Sequence, residues 1–565
     1  MSHPYIACRA FPISARNIGG QDSWATGEKG VHKVTTMKID GRGLTISQTV
    51  AAASREGSEF AVSEDALRAM NASRNLKLEI LATGKPIYGV TTGFGDSVNR
   101  QISPEKTARL QNELIRYHLN GTGRLASDEV VRATVLIRAN CLARGNSGVS
   151  LPVVELLLDF LKHDILPTVP ERGSVGASGD LVPLCYLAYA LTGQGKVRHR
   201  GETRPTAEVL AELGLKPVTL EAKDGLALIN GTSFSAAFAV LNTEAAAELA
   251  DVADICTALA SEGMLGNRGH YAPFIHNEKP HSGQGASAAY IHQMLEGSSL
   301  AMTYDQVVDL NVPLDGRHYQ RLTRSIQDRY SLRCAPHVNG VLRDMLDWVR
   351  TWMTVEINSS SDNPLFDPST GAVYSGGNFY GGHVVTAMDS LKTAVAGIAD
   401  LLDRQLALLV DEKFNNGLTP NLIARVDDDD TEAGLQHGFK GMQIACSSLT
   451  AEALKHSGPA STFSRSTEAH NQDKVSMAPI AARDARTVIE LTREVAAIHL
   501  LAACQAVELR GVDEMSPRTK AVHARIRKEV PFAAKDRQMD GDIAAVVEMI
   551  ASGAITEAAR AGGNL

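Results

Sequence analysis

Basic stripes, paired cysteines and long apolar runs are all missing from this sequence. Its 56 Lys and Arg stand against 64 Asp and Glu, a formal net charge of −8. With no basic stripe, nucleic acid is not expected as a partner. The seven cysteines, at 8, 141, 185, 256, 334, 446 and 504, include no C-x-x-C and are odd in number. That pattern fits reduced thiols in a cytoplasmic protein better than a disulfide framework or a zinc site. No stretch approaches the roughly 20 apolar residues of a membrane span, so no membrane partner is expected. No apolar h-region accompanies Arg9 and Arg16, so a secretory signal is not expected. The lack of acidic residues before Asp22 leaves a transit peptide open. Residues 1–42 read as a flexible tail.

What is present is a large helical chain. At 565 residues, 44% of them apolar and 21% charged, it can build a core spanning more than one lobe. Ser63 and Gly84 frame one helix, Ser103-Pro104 starts another, and Ser127 to Gly145 frames a third. Val384, Met388, Leu391, Val395, Ile398 and Leu402 alternate by four and three, a seam for nearly parallel helix packing. Val338, Val341, Met345, Trp348, Trp352 and Val355 repeat in the same way. No alternating strand runs of comparable length occur, so the class is all-α. We expect a long helical bundle over 246–565 and a smaller N-terminal lobe over 43–245. Asp427 to Asp430 reads as a solvated loop. His270, His276 and His281 match no standard metal-ligand spacing, and no metal is expected.

One stretch stands apart: Gly173-Ser-Val-Gly-Ala-Ser-Gly-Asp-Leu-Val-Pro-Leu184. At its centre, Ala177, Ser178 and Gly179 are small residues with little steric protection. If the Gly179 nitrogen presses on the Ala177 carbonyl carbon, a five-membered ring can close. Loss of two waters, one taking the Ser178 hydroxyl, leaves an exocyclic methylidene on an imidazolone, an electrophile made from the chain itself. Asp180, Leu181 and Val182 would open a helix behind it whose free N–H groups support negative charge. Taken alone, the triplet also reads as a turn before an Asp cap. A serine-hydrolase elbow fails, because Asp180 stands where G-x-S-x-G needs glycine. Tyr88-Gly-Val-Thr-Thr-Gly-Phe-Gly95 is glycine-rich but is no dinucleotide motif, so no nucleotide is expected.

The Gly173–Leu184 segment resembles the signature of the histidine and aromatic amino-acid ammonia-lyases, whose prosthetic group is 4-methylideneimidazole-5-one, MIO. Further segments match in the family's order across roughly residues 43–512, and the likeness is greatest to the tyrosine ammonia-lyases. The resemblance implies an MIO-bearing N-terminal lobe, with MIO formed autocatalytically from Ala177-Ser178-Gly179. It makes Tyr88, on its glycine-rich loop, the base. In Gly225-Leu-Ala-Leu-Ile-Asn-Gly-Thr-Ser233 it sets Asn230 beside the ring. In Ser325–Arg333 it offers Gln327, Tyr330 and Arg333, with Arg333 as bidentate partner of the substrate carboxylate. Asn363 lies beside that carboxylate, Phe379 packs near MIO, and the Glu468–Met477 segment supplies polar groups. It also implies a homotetramer with active sites shared between subunits.

Substrate choice rests on fewer residues. The family reads the ring substituent at the pair matching Tyr117-His118, and histidine there can hydrogen-bond a phenol. Histidine ammonia-lyases carry a Glu where this chain, anchored on Val475-Ser-Met, has Gln472. The expected reaction is L-tyrosine to trans-p-coumarate and ammonia, with phenylalanine as a slower substrate. A tyrosine 2,3-aminomutase and a histidine ammonia-lyase are the alternatives within the family. A fumarase-type lyase would lack the Ala-Ser-Gly electrophile, and an inert helical scaffold would not need Tyr88 and Arg333.

Overall fold

The computed structural model describes residues 35–54, 58–425 and 429–564. The expected tail lies outside the described residues up to residue 34. Its remaining part includes strand β1 (Thr35–Ile39), paired in parallel with β2 (Ser58–Val62). The expected loop at Asp427–Asp430 falls partly outside them as well.

The N-terminal part carries α1 (Ile46–Ala53), α2 (Glu64–Ala82), α3 (Thr107–Tyr117), α4 (Asp128–Ala143), α5 (Leu151–Lys162), α6 (Val182–Leu191), α7 (Thr206–Glu212) and α8 (Asp224–Ile229). The Ser63 and Ser127 caps read from sequence form, with Ser63 Oγ accepting from Ala66 N at 3.2 Å and Gly84 ending its helix at φ 71°; Ser103-Pro104 instead opens a short 3-10 turn without a side-chain cap, and α3 begins at Thr107. Strand is minor. β3 (Thr122–Leu125) pairs with β5 (Pro170–Arg172), while β4 (Leu166–Pro167), β6 (Lys196–His199) and β7 (Glu202–Pro205) form a further small sheet.

Next comes α9 (Ser233–Gly263), followed by the short helices α10 (Pro273–Asn277), α11 (Ser282–Met294), α12 (Tyr304–Asp309) and α13 (Tyr330–Arg333). The bundle is α9 with α14 (Ala335–Ile357), α15 (Gly382–Val410), α16 (Lys440–His456) and α17 (Ala478–Arg510). The hairpin β8 (Leu365–Asp367) and β9 (Ala372–Tyr374) joins α14 to α15; α18 (Pro517–Arg527), α19 (Asp540–Ala551) and α20 (Ala554–Ala561) close the chain. The fold is all-α in class, a long bundle with a smaller N-terminal lobe. One continuous apolar core runs through both parts, and α9 passes without a break through residues 245 and 246. No helix among the described residues is long and apolar enough to cross a membrane.

The α15 seam is buried at every expected position. The α14 seam is not. Val341 and Val355 are exposed, and the buried stripe is Leu342, Leu346, Val349 and Met353. The helix is apolar on two faces, and periodicity alone cannot tell which of them meets the bundle. Val338, Val341 and Met345 instead line an open groove against α15.

Polar ties cross the apolar layers. The fully buried Asp254 of α9 accepts from Asn339 Nδ2 and from Arg343 Nη2, each at 2.7 Å, and from Ser287 Oγ on α11. Without this carboxylate Asn339 Nδ2 and Ser287 Oγ lose their buried acceptor, and Arg343 keeps only Asp251 as an anionic partner. We predict that Asp254→Ala lowers stability by about 3–5 kcal/mol, read as a shifted denaturant midpoint with unchanged slope. A shift within the range of ordinary surface changes would show that α9, α11 and α14 hold together without this carboxylate.

Candidate active site

The loop from β5 to α6 is bent hard at its centre. Ser178 (φ 51°) and Gly179 (φ 79°) are successive left-handed residues, and Leu181 (φ 43°) follows. Gly179 lies flat against Gly231, where a Cβ would sit 2.3 Å from the Gly231 carbonyl oxygen, so only glycine fits. Asp180 N donates to that same oxygen at 2.7 Å. On the other side, Met477 N donates to Val175 O at 2.9 Å. A tightly bent turn of small residues, pinned at both ends, suits the cyclisation.

α6 opens behind the triplet at Val182, but Asp180 does not cap it. Its Oδ2 accepts from Phe234 N at 2.7 Å and from Ser235 N at 2.9 Å, capping α9 instead. Burial pushes the Asp180 carboxyl up to about 7, against those N–H groups. A partner 54 residues away in sequence is invisible to a local reading.

The triplet opens onto a cavity of about 610 Å³. Of the residues singled out in the sequence, Tyr88, Tyr117, His118, Asn230, Asn363, Phe379 and Gln472 line it beside Ala177 and Ser178. Gln472 is oriented by Thr467, whose hydroxyl donates to Oε1 at 3.0 Å; its Nε2 then donates to Ser178 Oγ at 3.2 Å. Asn230 Nδ2 donates to Asn363 O at 2.9 Å, while Asn230 Oδ1 is buried without a protein partner. These residues fit an MIO: a cradle that excludes a side chain at Gly179, a donor on the hydroxyl that must leave, and a free acceptor beside it.

Tyr88 Oη accepts from Gly95 N at 3.2 Å within its own loop. Burial raises this phenol above its ordinary value, Gly95 N–H opposes the rise, and the nearby Glu468 carboxylate adds to it. Desolvation thus outweighs the one N–H that favours the phenolate in the single chain. His118, the C-cap of α3, engages Leu114 O through Nδ1 at 2.9 Å. A carbonyl only accepts, so Nδ1 carries the proton and Nε2 is left as an acceptor. Burial also lowers the His118 pKa and favours the neutral ring. The Tyr117 ring packs on it at 4.2 Å between centroids.

Gln327, Tyr330 and Arg333 are not brought to this cavity within one chain. They line a separate hollow of about 560 Å³ with Asp328 and Arg329. The Arg333 guanidinium stacks 4.5 Å from the Tyr330 ring centre, and its buried Nε has no hydrogen-bond partner.

Sequence reasoning did not single out Glu468. It lines the cavity and accepts from Asp96 N at 3.3 Å, clasping the Tyr88 loop to the segment that carries Gln472. Glu468, Ala469 and His470 are three successive left-handed residues. The available signal was its place in the quoted Glu468–Met477 segment. No group of three or more His, Cys, Asp or Glu among the described residues could hold a metal.

The aromatic amino acid lyase family matches residues 44–528. The chain is 40% identical over 532 residues to a tyrosine ammonia-lyase of Cupriavidus metallidurans, covering 93% of this chain and 98% of that one. It is 39% identical over 526 residues to a histidine ammonia-lyase of Gloeobacter violaceus, covering 93% and 98%. Among solved structures, tyrosine aminomutase from Streptomyces globisporus superposes with a TM-score of 0.87 at 35% identity, covering 93% and 98%. The chain belongs to the aromatic amino acid lyase family, whose members are MIO-dependent ammonia-lyases and aminomutases.

Two outcomes follow from this geometry. Intact-mass measurement of the purified chain should find it two waters lighter than its encoded sequence, with Ser178→Ala retaining at least one of them; a parent at full encoded mass would refute cyclisation. Tyr88→Phe should keep the parental mass deficit yet lose ~10²–10⁴-fold in kcat. Near-parental turnover would make Tyr88 an ordinary loop residue.

Proposed function

We propose that this member of the aromatic amino acid lyase family deaminates L-tyrosine to trans-p-coumarate and ammonia, with L-phenylalanine to trans-cinnamate as a slower reaction. His118 carries the substrate reading. Its Nδ1 is committed to Leu114 O, so the free Nε2 accepts and suits a ring that presents a donor, such as a phenol. An imidazole N–H would also satisfy it. Gln472, neutral where the histidine ammonia-lyases have a carboxylate, favours the phenol.

The MIO that Ala177-Ser178-Gly179 would form supplies an electrophile for the amino acid. The chain's own groups do the rest. Tyr88 removes the β-proton, and its loop, clasped to Glu468, keeps water from the reacting atoms. Leu114 and Leu226 give the aromatic ring an apolar wall. Arg333 would reach the substrate carboxylate from a second copy, in a homotetramer with shared sites. The exposed Val341 and Val355 on α14 and the exposed ring of Tyr330 support such an assembly. The two lobes divide the work in this reading, the N-terminal one carrying MIO and the bundle carrying the carboxylate arginine.

A second reading is a tyrosine 2,3-aminomutase, favoured by the likeness to the Streptomyces globisporus enzyme. The two share every group above and differ in whether the arylacrylate leaves before ammonia adds back.

Incubation with L-tyrosine, L-phenylalanine and L-histidine, followed by arylacrylate absorbance and chromatography, separates these readings. Coumarate without β-tyrosine is the expected result; β-tyrosine as a main product would make the chain a mutase, and urocanate a histidine ammonia-lyase. In the same assay His118→Phe should shift preference from tyrosine toward phenylalanine by ~1–3 kcal/mol in kcat/KM, the scale of one unsatisfied buried group. Parallel loss of both activities with a lower Tm would make His118 a packing residue.

A further inference from the structure

Behind the cavity wall lies an ion pair that touches none of the reacting groups. Lys223 Nζ and Asp362 Oδ2 are 2.6 Å apart, and both side chains are wholly buried. Lys223 caps the start of α8 in a left-handed conformation, φ 81°, unusual for a non-glycine residue. Stability gives little reason for such a pair, since well-packed apolar residues of the same size serve as well or better. What the pair touches is more telling.

Asp362 uses its other oxygen, Oδ1, to accept from Asn363 N at 2.7 Å. Asn363 O in turn accepts from Asn230 Nδ2 at 2.9 Å. Arg138 of α4, also fully buried, donates to Ala227 O and Ser361 O and so ties α8 to the segment before Asp362. The series Lys223, Asp362, Asn363, Asn230 is thus continuous and ends at the cavity. A backbone carbonyl can only accept, so the nitrogen of the Asn230 carboxamide must face Asn363. Its oxygen therefore turns the other way, and this Oδ1 is buried with no partner in the protein. Asn230 precedes Gly231, the residue against which Gly179 lies. A stranded acceptor beside the triplet calls for a donor, and the group brought to the triplet is the substrate's amino group.

We propose that Lys223 and Asp362 are positioning residues, which act through Asn363 to hold the Asn230 carboxamide with its oxygen toward the substrate's amino group. The proposal rests on the family reaction and not on the choice of tyrosine. Phenylalanine as the better substrate would remove only the tyrosine reading, and the comparison would then be run with phenylalanine.

The experiment compares the parent, the paired variant Lys223→Met/Asp362→Leu, Asn230→Ala, and all three substitutions together. Each is measured for Tm, intact mass, KM and kcat on the preferred amino acid, and inhibition by the matching 3-arylpropanoate, which lacks the amino group. The paired variant is expected to fold with the parental mass deficit and a Tm lowered by no more than the one Asn363 N–H it leaves without an acceptor. KM should rise roughly tenfold, the scale of a lost hydrogen bond to a charged group, while inhibition by the arylpropanoate stays unchanged. Adding the pair substitutions to Asn230→Ala should cost nothing more. Unchanged KM, losses that multiply with Asn230→Ala, equal weakening of the arylpropanoate, or loss of the mass deficit would each overturn the proposal. Should the paired variant not fold, Asn230→Ala alone decides: arylpropanoate binding that weakens as much as amino-acid binding refutes an amine-facing oxygen.

Discussion

The contact between Gly179 and Gly231 sets the geometry of the whole site. Gly179 admits no side chain because the Gly231 carbonyl lies where a Cβ would go. Gly231 is crowded from its own far side, where an added Cβ would meet Arg138 Nη1 and the Ser361 carbonyl. Two glycines thus let three backbone segments meet: the cyclisation loop, the junction of α8 and α9, and the turn after α14. Each then delivers a polar side chain from within two residues of the contact. Ser178 precedes Gly179, Asn230 precedes Gly231, and Asn363 follows two residues after Ser361. Asp180 completes the junction by capping α9.

Within the cavity two polar groups are oriented by backbone carbonyls, partners that can only accept. The Leu114 carbonyl on His118 Nδ1 leaves Nε2 as an acceptor. The Asn363 carbonyl on Asn230 Nδ2 leaves an oxygen free. These assignments need no substrate, so the pattern of donors and acceptors exists before anything binds. Fixed dipoles in a dry site need no reorganisation when charge develops, which is why such orientation favours the transition state over water's looser response.

Much of the candidate site was legible where its residues lay in short, ordered segments, although Gln327, Tyr330 and Arg333, from such a segment, line a separate hollow in the single chain. The triplet, the Tyr88 loop, Asn230 and Gln472 all sit in one cavity, and the α15 seam is buried along its length. What stayed hidden depended on residues far apart in the chain. Asp180 finds its partners on α9, and Glu468 meets Asp96 across 372 residues. The α14 seam was assigned to the wrong face because both faces are apolar. The rise in the Tyr88 pKa could not be read from composition, since desolvation depends on what covers the phenol. Residues 35–39 gave no strand signal because a two-stranded sheet of five residues is decided by its packing.

The charges around the cavity pose one further constraint. Its lining carries Glu468 and Asp473 against a single cation, Lys474. Such a wall disfavours the two anions of the proposed reaction, the substrate carboxylate and the Tyr88 phenolate, and Glu468 already raises the phenol. Burial sharpens the conflict because it weakens the screening that water would provide. The missing positive charge must come from the substrate's ammonium or from outside the single-chain cavity. In the proposed assembly Arg333 would answer the second need: its guanidinium is stacked on the exposed Tyr330 ring, and its buried Nε has no partner. A cation prepared at one surface and a cavity short of one at another are complementary within the same chain. That complementarity, more than any apolar face, supports the proposal of a site completed by a second copy.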